Sequence, residues 1–238
     1  MITKLIISCE HATNALPAEH QSLFNEAKPA LESHRGFDLG AIELFDNLVT
    51  SIEPNYAAKG KYSRLLVELN RSLHHNNIFS EFTNGLDQHE KKKLITSYYT
   101  PYRTNLEGVI RTYIENNYKV LHLSIHSFTP IFNGEKRNAE IGILYDPKKA
   151  PEKAFAIKWK EQLKLNLPNY NVRFNYPYLG TADGFTTHLR KKFPSNYSGL
   201  ELEVNNRLTT ELDWKLIQEK ISNGTKNSLR IVNVLKSK

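Results

Sequence analysis

The chain has 238 residues, 39% hydrophobic and 24% charged, with a formal charge of +7. That composition describes a globular protein with enough core to fold unaided, expected as one domain over residues 1–238. No run approaches the ~18 apolar residues that a bilayer span needs, and the N-terminal apolar run is too short for a secretory signal, so a cytoplasmic protein without a membrane partner is the expectation.

A lone cysteine, Cys9, excludes an internal disulfide and Cys-rich zinc sites. The basic residues are scattered, and the densest runs, Lys91-Lys92-Lys93 and Arg190-Lys191-Lys192, read as solvated helix faces. Nucleic acid is therefore not the expected partner, and a small anionic substrate accounts for the charge equally well.

In chain order, residues 4–9 form a short apolar run that predicts a buried strand ending at Cys9-Glu10-His11. Apolar residues at helical spacing predict a helix over 38–52, with Asp38 at its start as an N-cap or first-turn acid. Strands are predicted over 55–58 and 65–70, then a long helical region over 86–117 kinked or broken at Pro101. A strand over 120–127 carries His122, Ser124 and His126 on one face by alternation. Strands over 140–145, 172–176 and 200–204 follow, with helices over 151–165, 183–193 and 212–235. Strands alternating with helices predict an α/β fold with a largely parallel sheet covered on both faces, and a site at the strand ends.

The reactive residues cluster at those strand ends. In "LLVELNRSLHH", Asn70-Arg71 offers a planar fork of donors and an amide, suited to a carboxylate or to a structural acid nearby. His126 falls at the end of its strand and is the better metal-ligand candidate, whereas mid-strand His122 reads as a packed core histidine. In "GLELEVNNRL", Glu201 and Glu203 share one face, and a carboxylate at a buried strand end is where a general base belongs. "HRGFDLGA" contributes Asp38, with His34 four residues before it in a position to support it. Arg137 is suited to stabilising an oxyanion or gripping an anion.

Two histidines, a carboxylate and one open position make a common catalytic zinc set. No G-x-S-x-G elbow is present. Ser127, or Cys9 beside His11, is the metal-independent alternative nucleophile, with an inert buried thiol the expected state of Cys9. A non-catalytic anion- or nucleic-acid-binding module is the alternative from another class.

Taken in order, "SCEHATNALP", "HRGFDLGA" leading to "SRLLVELNRSL", "LSIHSFTP" followed by "RNAEIGILYDP", and "LELEVNNRL" resemble the N-formylglutamate amidohydrolase family over residues 8 to about 207. The resemblance implies kinship with zinc carboxypeptidase-like and aspartoacylase-like hydrolases. It also implies a three-layer α/β/α sandwich with a mixed, mostly parallel sheet of about eight strands. Carried over to this chain, it makes His11 and His126 zinc ligands, one Zn²⁺ per chain. Related zinc peptidases place a Glu three residues after the first His, where this chain has Asn14; Asp38 is the preferred carboxylate ligand, with Glu10 the alternative. Asn70 and Arg71 would grip the substrate carboxylate, Arg137 the oxyanion, and Glu203 would be general base and then acid. The implied substrate is a small anionic N-acyl amino acid, with N-formyl-L-glutamate as type substrate, acted on by a monomer or small homo-oligomer.

Overall fold

The computed structural model describes residues 1–235. Six strands form the central sheet: β1 (Thr3–Cys9), β2 (Tyr56–Lys59), β3 (Lys119–Phe128), β6 (Ile141–Leu144), β7 (Val172–Phe174) and β8 (Tyr197–Asn205), in the order β2-β1-β3-β8-β6-β7. The remaining two, β4 (Ile131–Phe132) and β5 (Glu135–Lys136), make a separate hairpin, so the expected eight-stranded sheet is six strands plus two. β2, β1, β3 and β8 run parallel. β6 pairs antiparallel with β8 and parallel with β7, so the sheet is mixed.

Helices α1 (Lys28–Leu31), α2 (Ala41–Ile52), α3 (Gln88–Leu94), α4 (Thr100–Glu115), α5 (Ala150–Asn166), α6 (Phe185–Lys192) and α7 (Trp214–Ile231) complete the fold. The sheet's two faces differ in character. Leu5, Ile7, Leu121, Leu123, Ile125, Leu200 and Leu202 pack with α2, α5 and α7 into the main core. On the opposite face, Ile6 and Val120 pack with α4 and α6 into a smaller cluster. Towards the C-terminal ends of the parallel strands, that second face turns polar, carrying Ser124, His126, Glu201 and Glu203. Alternation along β3 and β8 produces this division, because residues two apart share a face. Among the described residues, no helix is long and apolar enough to cross a membrane.

Residues 65–70 are not a strand. The segment is a buried turn in which Leu65 and Leu66 join one small cluster and Val67 and Leu69 another. Its apolar residues are thus buried by loops and helices rather than by sheet pairing. The long helical region is interrupted before Pro101, where its hydrogen bonding changes. α3 runs through a π-helical turn, Ile95–Tyr99, into α4, whose first turn accommodates the proline. Asp38 is not the cap of α2. That position is Gly40, whose φ of +79° is the left-handed conformation glycine adopts at least cost, and the turn leaves the Asp38 carboxylate pointing elsewhere.

Arg190 likewise departs from the solvated-face expectation. It is buried and bonds Glu152 at 2.8 Å, the Gly180 carbonyl at 2.6 Å and the Gly199 carbonyl at 2.6 Å. It therefore ties α5, α6, β8 and the loop before α6 together. Replacing it would leave Glu152 as an uncompensated buried charge, so Arg190→Ala is expected to lower stability by about 3–5 kcal/mol in denaturant titrations.

Candidate active site

β1, β3 and β8 deliver their C-terminal ends to one cleft of about 580 Å³, lined by His11, Asp38, His126 and Glu203 among others. His11 lies two residues past the end of β1, and the Asp38 backbone N–H donates to the His11 carbonyl at 3.0 Å, which pins the loop before α2 against the end of that strand. His126 and Glu203 are register partners on β3 and β8. Ligand atoms of His11, Asp38 and His126 all lie within 4.8 Å of one another, and all three residues are buried. Asp38 Oδ2 stands between the two rings, 3.3 Å from His11 Nδ1 and 2.9 Å from His126 Nδ1.

Each histidine is backed by a carboxylate on its other nitrogen. Glu68 Oε1 accepts from His11 Nε2. Glu10 Oε2 lies 3.2 Å from His126 Nε2, and Glu10 also accepts from Ser124 Oγ at 2.5 Å and Tyr102 Oη at 2.8 Å. Glu10 thus sits behind His126, away from the point where the other three converge. Glu68 and Arg64 are the residues that sequence reasoning missed. Arg64 bridges Asp38 Oδ1 at 3.1 Å and Glu68 Oε2 at 2.8 Å, occupying the supporting place expected of His34. Their four-residue spacing gave no separate signal, because it also places two residues on one face of a strand.

The electrostatics separate two kinds of carboxylate. Burial alone would raise Asp38, but His11, His126 and Arg64 outweigh it and hold its carboxyl well below the usual range. Burial would likewise raise Glu10 and Glu68, and their histidine neighbours, with Arg64 for Glu68, hold both low. Burial disfavours the charged form of His126, yet Asp38 and Glu10 raise its pKa well above normal. Glu203 goes the other way. Burial, abetted by Asp38 and Glu201 and only partly opposed by His126, pushes it up to about 8. Its Oε2 is buried and has no hydrogen-bond partner among the described residues. Mid-strand His122 is buried between Ser8 Oγ at 2.7 Å and Tyr197 Oη at 2.8 Å, and burial lowers it to about 4, as befits a neutral core histidine.

Asn70 and Arg71 line the same cleft. Asn70 Oδ1 accepts from the Phe185 N–H at the start of α6 at 2.7 Å, and Arg71 donates to the Asp183 carbonyl. Arg137 does not line the cleft. Its guanidinium bonds Tyr178 Oη at 3.2 Å and lies over the rings of Phe132 at 4.7 Å and Tyr178 at 5.1 Å, so it supports the cleft wall from outside. Cys9 is fully buried in the core, where burial pushes its thiol up. Among the described residues the Ser127 Oγ reaches no hydrogen-bond partner, so neither alternative nucleophile has a base in contact there.

The donor set fits a metal: two imidazole nitrogens and one carboxylate oxygen converge beside a cleft, each ring oriented by a second carboxylate. Such a group on an α/β fold, next to a carboxylate with a raised pKa, is the arrangement that a metal-dependent hydrolase would use. A family model described as N-formylglutamate amidohydrolase matches residues 3–210, and the chain belongs to that family. Among solved structures it is similar to the gene product Atu2144 from Agrobacterium tumefaciens, at 23% identity and TM-score 0.78 over 96% of this chain and 91% of that one. It is also similar to the N-formylglutamate amidohydrolase from Ralstonia eutropha JMP134, at 15% identity and TM-score 0.71 over 97% and 94% of the two chains. At these identities the likeness is one of fold. No curated protein matches the sequence.

Proposed function

We propose that this protein is a zinc-dependent amidohydrolase that cleaves the amide bond of an N-acyl amino acid, N-formyl-L-glutamate being the family's type substrate. The observation that carries this reading is the convergence of His11, Asp38 and His126 beside the unpartnered Glu203 carboxylate in one cleft. His11, Asp38 and His126 would hold the metal, which when bound lowers the pKa of water towards ~7 and polarises the amide carbonyl.

The chain's own residues do the rest. Glu203 takes a proton from the attacking water at Oε2 and delivers it to the departing amine, so one carboxyl serves as base and then acid. Glu68 and Glu10 hold the two imidazoles in place by hydrogen bonds to their Nε2 atoms. Arg71 binds the substrate carboxylate, exchanging the Asp183 carbonyl for a charged acceptor that makes a stronger bond. Arg64, bridging Asp38 and Glu68 at the cleft wall, is better placed than Arg137 to face a developing oxyanion.

The zinc-loaded protein assayed against a panel of N-acyl amino acids should release acid and amine in equal amounts, and the chelator-stripped protein should release none. Turnover of no member after loading would overturn the reading. Arg71→Ala should raise KM by about tenfold or more for carboxylate substrates, as expected for loss of a charge-assisted hydrogen bond. The corresponding amides should be unaffected, and equal losses on both would remove Arg71 from carboxylate binding.

A further inference from the structure

The cleft holds three arginines, and their partners differ. Arg35 pairs with Glu81. Arg64 pairs with both Asp38 and Glu68. Only Arg71 among them has no salt bridge in the described residues, its guanidinium meeting the backbone carbonyl of Asp183 instead. Among the described residues, no lysine lines the cleft. His34 does, but burial, together with Arg64, Arg35 and Arg137, lowers its pKa and favours the neutral ring. Glu81, Asp183 and Glu201 also face this space. A single substrate carboxylate therefore finds an available cation. A second would meet paired arginines and like charges.

One stretch of the remaining wall is apolar. Phe132 from the β4–β5 hairpin and the neighbours Tyr178 and Leu179 line the cleft with Phe79. Phe132 is 51% exposed, Tyr178 43% and Leu179 64%, so large apolar side chains stand open beside a polar centre. Arg137 stacks on both Phe132 and Tyr178 from outside the cleft, so the two rings are held as one surface. The cleft's 580 Å³ lies in the ~300–1,000 Å³ range of pockets that enclose drug-sized ligands, and N-formylglutamate is a much smaller molecule.

Resting on the hydrolytic reading above, we infer that the preferred substrate is a monocarboxylate, an N-acyl amino acid with an aromatic or large aliphatic side chain, and not the dicarboxylate N-formyl-L-glutamate. Arg71 would take the α-carboxylate, and the Phe132–Tyr178–Leu179 wall would take the side chain.

The test compares kcat/KM of the zinc-loaded protein for N-formyl-L-phenylalanine and N-formyl-L-glutamate at the same ionic strength. The phenylalanine derivative should be favoured by about tenfold or more, the scale on which hydrophobic pockets discriminate. Phe132→Ala and Leu179→Ala, both at exposed positions where folding is not at risk, should each reduce that ratio several-fold. Binding of the two compounds to the Glu203→Gln variant should follow the same order. A preference for N-formyl-L-glutamate would overturn the inference while leaving the hydrolytic reading intact, and its loss in Arg35→Ala would identify Arg35 as the second carboxylate anchor. A phenylalanine preference untouched by both wall variants would also overturn it. Turnover of neither compound, nor of any other N-acyl amino acid, would defeat the hydrolytic reading itself.

Discussion

Glu203→Gln is expected to lower kcat by about 10²–10⁴-fold, the range of general acid–base catalysis, with KM little changed and the zinc content retained. Glutamine keeps the shape of the side chain and cannot accept the proton, so the loss isolates proton transfer from binding. Wild-type activity should rise with pH as Glu203 ionises. A bound cation favours the carboxylate, which places the midpoint below the value of about 8 reached in the metal-free protein.

The same residue has a signature in stability. The Glu203 pKa is raised in the folded state, so its contribution is fully present below the unfolded carboxyl's pKa, near 4.5. It is lost as pH rises to about 8, because only the unfolded chain ionises freely over that window. Metal-free wild type should therefore lose more stability between these limits than Glu203→Gln, by on the order of a few kcal/mol, the loss from His126 being common to both. Denaturant titrations of both proteins at pH 5 and pH 8 measure the gap. A gap that fails to widen at pH 8 would mean that Glu203 is already ionised in the folded protein.

The second large effect concerns the metal. Purified protein should bind about one zinc per chain, by analogy with single catalytic sites of this donor type, and His11→Ala or His126→Ala should abolish both binding and turnover. Glu68→Gln and Glu10→Gln should weaken zinc binding by about 10–100-fold without eliminating it, as expected of groups that orient ligands. Competition with a chromophoric chelator separates the two classes of variant. Because Asp38 and Glu10 raise the His126 pKa, a proton must leave before a metal can bind, and zinc affinity should rise with pH across the neutral range. Equal zinc affinity in wild type and His126→Ala would remove the centre proposed here.

Particular residues show how far the sequence was legible. His11, His126 and Glu203 could be placed at strand ends because an apolar run that stops on polar groups, and a two-residue alternation, are local signals. Asp38 was found with them, although its cap-like position suggested a different job. Glu68 and Arg64 stayed hidden inside "SRLLVELNR", since apolar residues buried by loops look the same in sequence as those buried in a sheet. Arg137 lies outside the cleft lining. Its distance from a strand in sequence said nothing of the Phe132 and Tyr178 rings that hold it against the outside of the cleft.

The sequence by itself determined the α/β class, the family resemblance and most of the residues that meet in the cleft, because periodicity and composition record burial residue by residue. Tertiary structure alone decided which atoms meet. The reversal of β6 and β7, the placing of Asp38 rather than Glu10 between the two imidazoles, and the pairing that leaves Arg71 without a carboxylate side-chain partner among the described residues all depend on contacts between segments far apart in the chain. Strand alternation is the same for parallel and antiparallel neighbours, and a charged residue's partner is set by distance in space.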